Sequence, residues 1–229
     1  MIPCETCTAE DTDMKRIKRK KRTAVTIIVA VATVGLIVSF LAFFALRNRN
    51  QFYGFTREVP EEEQLLRLKL VETAEGWLGS KEQDGSHQPI IDLYNQHEPL
   101  AQGYAVQYDD QWCATFVSAA AIQAELTSII PTECGCERQI ELFQELGTWV
   151  EDDEYLPLPG DIIYYCRNNK DIGTDCTGWS DHVGIVVGTN GKRIKVIEGN
   201  YGDAVGYRYL PADALIIRGF AVPDYAQLY

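Results

Sequence analysis

The sequence predicts an α+β fold in which helices come first and an antiparallel sheet follows, with one apolar membrane-spanning helix ahead of both. Three observations carry this. Helical periodicity is confined to residues before Gly147, and an alternation of period two takes over after Pro159. Between two of the alternating runs, "TNGK" (189–192) places the favoured Asn-Gly pair of a hairpin turn.

The basic run "KRIKRKKR" (15–22) precedes "TAVTIIVAVATVGLIVSFLAFFAL" (23–46), 24 residues with no charged side chain. As a helix that run reaches about 36 Å at about 1.5 Å per residue, more than a hydrocarbon core of roughly 30 Å. A cleaved signal peptide has a shorter apolar region, and Ala42 and Ala45 are one position too far apart for its A-x-A site. Seven basic residues lie before the span, against Arg47 and Arg49 after it, so the N-terminus is expected in the cytoplasm and the rest outside. The expected organisation is a cytoplasmic basic tail (1–22), a transmembrane helix (23–46), a stalk (47–60) and an extracellular domain (61–229). The expected location is the cell membrane, as a single-pass protein.

In the domain, "PEEEQLLRLKLVETAEGWLG" reads as a helix. Pro60 suits its first turn, and Glu61, Glu62 and Glu63 complement the positive end of its dipole. "PIIDLYNQH" reads as a short helix after the loop "SKEQDGSHQ". A helix is expected from Cys113 to about Leu126, with Phe116, Val117, Ala120 and Ala124 on one face, and "CERQIELFQELG" gives another that ends near Gly147. "DIIYYC", "HVGIVVG", "RIKVIEG", "AVGYRYL" and "IIRGF" read as strands.

Charge bounds the partners. Residues 1–50 carry nine Lys/Arg against four Asp/Glu, a net of +5; the remainder carries twelve against twenty-nine, a net of −17. A body this acidic repels phosphates, which excludes nucleic acid. The basic run beside the span serves topology and anionic lipid instead.

The seven cysteines divide at the membrane. Cys4 and Cys7 ("CETC") lie in the tail, either as plain thiols or as half of a metal site completed by a second chain, which would give self-association through the tail. Five lie outside, an odd number, which leaves an unpaired thiol. "CRNNKDIGTDC" reads as a loop that a Cys166–Cys176 disulfide can close. Cys134 and Cys136 ("PTECGC") are too close to pair easily with each other. Each takes a partner brought near by the fold or stays reduced. Cys113 is the candidate for the odd thiol.

The chemistry gathers around Cys113. It opens a predicted helix, where unpaired N–H groups and the dipole favour a thiolate. His182 opens a strand in "WSDHVGIVV", where an imidazole can take up the thiol proton and later deliver it to a leaving amine. Glu198 and Asn200 in "VIEGN" lie two apart, on one face of an extended chain, and either can orient the imidazole. With the turn centred on Asn190-Gly191, register counting sets His182 opposite Gly199, between the two acceptors. The rival readings are a structural cysteine, a satisfied histidine and a turn glutamate. A zinc site of Cys113, His182 and Glu198 is a further rival, with no accompanying metal motif.

Taken together, "WCATFVSAAAIQAEL", "PLPGDIIYY", "GWSDHVGIVVG" and "KVIEGNYGDAVGYRYL" resemble the CHAP domain family, the cysteine- and histidine-dependent amidohydrolases/peptidases of the NlpC/P60-like, papain-like superfamily, over roughly residues 71–225. The resemblance implies a papain-like fold and a cysteine hydrolase that cuts an amide bond in peptidoglycan, either in the stem or cross-bridge peptide or at the muramoyl-L-alanine bond. By motif, Cys113 resembles the nucleophile, His182 the base and acid, Glu198 the orienting group and Asn200 a fourth polar residue. Trp112 and Trp179, which flank these residues, either pack in the core or wall the substrate cleft. Gln107 and Gln111 are candidate oxyanion donors. No metal or other cofactor is expected. The loop after "GDIIYY" departs from the Asp- and Asn-rich, calcium-like pattern of related domains. Asn168, Asn169, Asp171 and Asp175 are the available oxygen donors, and the expectation is that a Cys166–Cys176 disulfide braces the loop instead. The alternatives to hydrolysis are a non-catalytic wall-binding or partner-recruiting module and an acyltransferase on the same scaffold.

Overall fold

In a computed structural model, residues 55–166 and 176–229 are described. The predicted tail, the apolar span 23–46, most of the stalk, and the four oxygen donors of the loop after Cys166 lie outside them. Among the described residues no helix is long and apolar enough to cross a membrane.

Among the described residues, four α-helices precede the sheet: α1 (Glu61–Glu75), α2 (Gln88–Asn95), α3 (Cys113–Gln123) and α4 (Cys136–Glu145). Six strands follow among the described residues: β1 (Trp149–Val150), β2 (Ile162–Tyr165), β3 (His182–Thr189), β4 (Arg193–Glu198), β5 (Gly206–Pro211) and β6 (Ile217–Ala221). They form one sheet in the order β1-β6-β2-β3-β4-β5, with every pairing antiparallel. The helices-then-strands order is as the periodicity predicts. Strand β1 is an addition, since two residues are too short to show an alternation.

Helix α3 explains its own position. Nine consecutive residues from Cys113 to Ala121 are buried, so it is surrounded on all sides. Alanines at 114, 119, 120 and 121 let neighbouring backbones approach closely, and Phe116 and Val117 fill the remaining space. The sheet divides its side chains by alternation. Ile162, Tyr164, Val183, Ile185, Val187 and Ile197 join the helices in the main core. Ile163, Tyr165, Val186, Ile194, Val196 and Leu210 form a second cluster.

The predicted hairpin register is off by one. Ile185 pairs with Ile197 and Val186 with Val196, after which the register shifts before Gly188 pairs with Lys195. Near the site, the ladder therefore carries His182 towards Asn200, where the count had placed Gly199. The error arises at the turn, where Thr189 pairs with Ile194, two residues from the count, because the turn centres one residue later, on Gly191-Lys192; the bulge at Val187 then takes back one residue before the site.

Candidate active site

The site lies where β3 begins, β4 ends and the first turn of α3 arrives. His182 and Glu198 are both buried, and the His182 Nε2 lies 2.9 Å from the Glu198 Oε2. The other carboxylate oxygen accepts from the Arg208 Nε at 2.7 Å. That same Nε also donates to the Tyr165 hydroxyl at 3.1 Å. Tyr165 sits directly across from His182 in the β2–β3 ladder, with its ring edge-on to the imidazole at 5.3 Å. The imidazole is thus fixed from two sides, by a carboxylate that is itself anchored and by a ring.

Two glycines make this geometry possible. A Cβ on Gly184 would overlap Val196 and lie 2.9 Å from the Glu198 Cγ, so the bare backbone there gives Glu198 the room to cross to His182. A Cβ on Gly199 would overlap Phe116 and lie 2.8 Å from the Trp112 Cζ3, so Gly199 lets β4 end against α3. Gly184→Ala is expected to cost about 1–3 kcal/mol through this overlap. It should also lower activity by displacing Glu198. Urea unfolding together with a turnover assay checks both, and a substitution neutral in each would show that Glu198 needs no such passage.

Cys113 is the first residue of α3 and is buried. Its Sγ lies 3.7 Å from the Sγ of Cys136, which opens α4. A hydrogen bond with Cys136 holds the Cys113 thiol well below the ordinary thiol range, against the cost of burial. Its hydrogen bond with His182, the imidazolium charge and the Ala114 backbone N–H act in the same direction. Cys136 is pushed well up, first by the hydrogen bond it gives to Cys113 and then by burial. Burial pulls His182 down, but its hydrogen bonds to Cys113 and Glu198, and their negative charges, outweigh this and raise it to about 9. With Nε2 turned to Glu198, Nδ1 is the ring nitrogen left for the sulfur. The lowered thiol and the raised imidazole favour a thiolate–imidazolium pair, with the Glu198 carboxylate and the Arg208 guanidinium behind it.

Other expected residues fall in different places. Asn200 is buried, two residues after Glu198, with φ 55°. Trp112 does not wall the cleft. It is fully buried, donates its Nε1 to Glu82 at 2.8 Å and stacks on His87 at 5.6 Å, because β4 and α3 close over it at Gly199. Trp179 is 44 % exposed. Gln107 is exposed, and its side-chain amide donates to the Ala105 carbonyl at 2.8 Å, within its own loop. Gln111 is exposed two residues before Cys113. Cys166 and Cys176 form a disulfide, as the loop reading anticipates. Three thiols remain free among the described residues: Cys113, Cys134 and Cys136. The odd-count argument on the five cysteines had required only one. No group of three or more His, Cys, Asp or Glu able to hold a metal occurs among the described residues.

Sequence reasoning missed Cys136, Arg208 and Tyr165. Arg208 was discoverable, since it lies in the strand "AVGYRYL" that follows "VIEGN", but the pairing of Val196 with Arg208 is needed to put it beside Glu198.

Comparison with known proteins agrees with the motifs. Residues 103–200 match the family model described as the CHAP domain. That span holds Cys113, His182, Glu198 and Asn200, and is narrower than the stretch over which the motifs resemble the family. No curated protein matches. Among solved structures, the one described as the crystal structure of Ly7917 is similar at 13 % identity, with a TM-score of 0.40. The similarity covers 69 % of this chain and 62 % of that one, so the chain spans less than two thirds of that structure's length.

Proposed function

We propose that the protein is a membrane-anchored cell-wall hydrolase that cleaves an amide bond of peptidoglycan through Cys113, His182 and Glu198. The observation that carries this reading is Cys113 at the start of α3, its thiol held well below the ordinary range, in a site where the His182 Nε2 lies 2.9 Å from the Glu198 carboxylate. The CHAP match supports the substrate class, an amide of the wall peptide or the muramoyl-L-alanine bond.

In this mechanism the Cys113 sulfur attacks the scissile carbonyl. Backbone N–H groups of the first turn of α3 receive the oxyanion. The His182 imidazolium protonates the leaving amine, which gives a thioester on Cys113. The neutral imidazole then draws a proton from water, and hydroxide transfer to the thioester carbonyl releases the acid and restores the pair. Glu198 keeps the imidazole oriented and stabilises its charge; it does not take its proton. Arg208 positions Glu198.

The body, with a net charge of −17, gains no attraction to the anionic polymers of a wall. The apolar span 23–46 would instead hold the domain near its substrate by raising the effective concentration there. Mass spectrometry of muropeptides released from purified sacculi tests the reaction and identifies the bond. Absence of any new amine or carboxyl terminus in the products would refute it.

The ion pair predicts the pH profile. The reactive form has Cys113 deprotonated and His182 protonated. It exists above the lowered thiol pKa and below the raised imidazole pKa, which is near 9. In kcat/KM, activity should therefore fall as pH rises through about 9, where the leaving-group proton is lost, and persist below the ordinary thiol range. A profile that rises through the ordinary thiol range and stays high would mean that no such pair forms.

A further inference from the structure

Cys136 transfers no proton or acyl group in the hydrolytic steps, yet its sulfur lies 3.7 Å from the nucleophile. It is held there firmly. The next residue, Glu137, accepts from the Ser180 backbone N–H at 2.6 Å, from the Ser180 hydroxyl at 2.8 Å and from the Arg218 guanidinium at 2.6 Å. These bonds fasten the start of α4 to the segment that leads into His182. Cys134, by contrast, gives its thiol to Glu133 at 3.5 Å. A disulfide needs the two sulfurs at about 2.05 Å. The two sulfurs start 3.7 Å apart, each on the first residue of its helix.

We propose that Cys113 and Cys136 form a site for thiol–disulfide exchange, which takes a disulfide as substrate and closes to a reversible Cys113–Cys136 bond that blocks hydrolysis. The proposal rests on Cys113 being the nucleophile for its effect on activity, though not for the bond itself. The Cys113 thiolate attacks one sulfur of an incoming disulfide RS–SR. The new S–S bond forms, the old one breaks, and RS⁻ leaves with the electron pair and takes the Cys136 thiol proton. The Cys136 thiolate then attacks the Cys113 sulfur, displacing the second RS⁻, which is protonated by the His182 imidazolium. The two protein thiols are oxidised by two electrons, and RS–SR is reduced to two RSH. The same thiolate character that suits Cys113 to acyl transfer suits it to the first exchange.

The test exposes the full-length chain, first reduced, to oxidised glutathione in graded ratios to reduced glutathione. Remaining thiols are alkylated and the chain is digested without reductant for mass mapping. The expected product is a Cys113–Cys136-linked peptide that retains no glutathione. Muropeptide release should be lost in proportion to the linked fraction and return with dithiothreitol. In Cys136→Ser, glutathione should stay on Cys113 as a stable mixed disulfide; Cys136→Ala gives the same readout should the serine variant fail to fold. Retention of glutathione on wild-type Cys113 without a linked peptide, a Cys134 linkage in its place, or no reaction of Cys113 at any ratio would each overturn the proposal. Should the linked peptide form while the reduced chain releases no muropeptides, the exchange site stands and the hydrolase reading fails.

Discussion

Cys113→Ala is expected to lower muropeptide release by about 10⁴-fold or more while the fold is retained. The size follows from the division of labour. Without the sulfur there is no thioester and no acceptor for the acyl group, and the imidazole has nothing to activate but water. Backbone donors and substrate binding still operate, so a small residual rate over the uncatalysed reaction is expected. The substitution is also the cleanest of the site. It removes one atom from a helix start and leaves the Glu198 carboxylate balanced by both His182 and Arg208. His182→Ala should be equally inactive but less stable, because it strips a buried carboxylate of one of its two partners. Cys113→Ser separates thiolate from hydroxyl chemistry, since a serine hydroxyl does not ionise beside an imidazole. Circular dichroism and a thermal melt establish that the fold persists. Wild-type-like release by folded Cys113→Ala would defeat the hydrolase mechanism and leave a binding module as the reading of the domain.

How far the sequence alone reached depends on the range of the interaction in question. The strands around the Asn-Gly turn were legible because alternation is a local property of the backbone, and so was the start of α3 at Cys113. The approach of Glu198 to His182 was legible to about one residue, since a hairpin is the shortest tertiary contact; the turn, centred one residue past Asn190-Gly191, shifted the count by two, and the bulge after Val186 returned one of them. Trp112 illustrates the limit. Its composition suits a cleft wall or a core equally, and only the packing of Gly199 against Phe116 and Trp112 decides for the core. Cys136 lies 23 residues from Cys113 in a different helix, so nothing in "PTECGC" announces the contact. Arg208 reads as a solvent-facing charge in an alternating strand. Its role appears only when β5 is laid beside β4.

Asp161→Ala is expected to cost about 3–5 kcal/mol of folding stability, a large part of the roughly 5–15 kcal/mol that holds a domain of this kind. Asp161 is fully buried just before β2. One carboxylate oxygen accepts from the Arg67 Nη1 at 2.7 Å; the other accepts from the Tyr155 hydroxyl at 2.7 Å and the Leu158 N–H at 2.8 Å. Arg67, on α1, is equally buried, with its guanidinium 4.5 Å over the Tyr225 ring and bonded to Glu63 and the Pro159 carbonyl. The pair therefore ties the first helix, the entry to the sheet and the C-terminal turn together. Burial raises the Asp161 pKa, and the attraction of Arg67 does not fully offset it. On the Arg67 side burial lowers the pKa, but the attraction of Asp161 and the other partners outweighs it and the guanidinium stays charged. A buried pair of this kind is modest in net worth but costly to break. Removing the carboxylate strands a buried guanidinium whose remaining carboxylate, Glu63, lies on its own helix. The double variant Arg67→Met/Asp161→Leu removes both charges and should recover most of the loss, since well-packed apolar replacements of buried pairs are often neutral. Urea unfolding of the two single variants and the double variant measures the coupling. Single-variant losses below about 1 kcal/mol, the scale of exposed pairs, would mean that water reaches Arg67 and that the anchor is not a dry one.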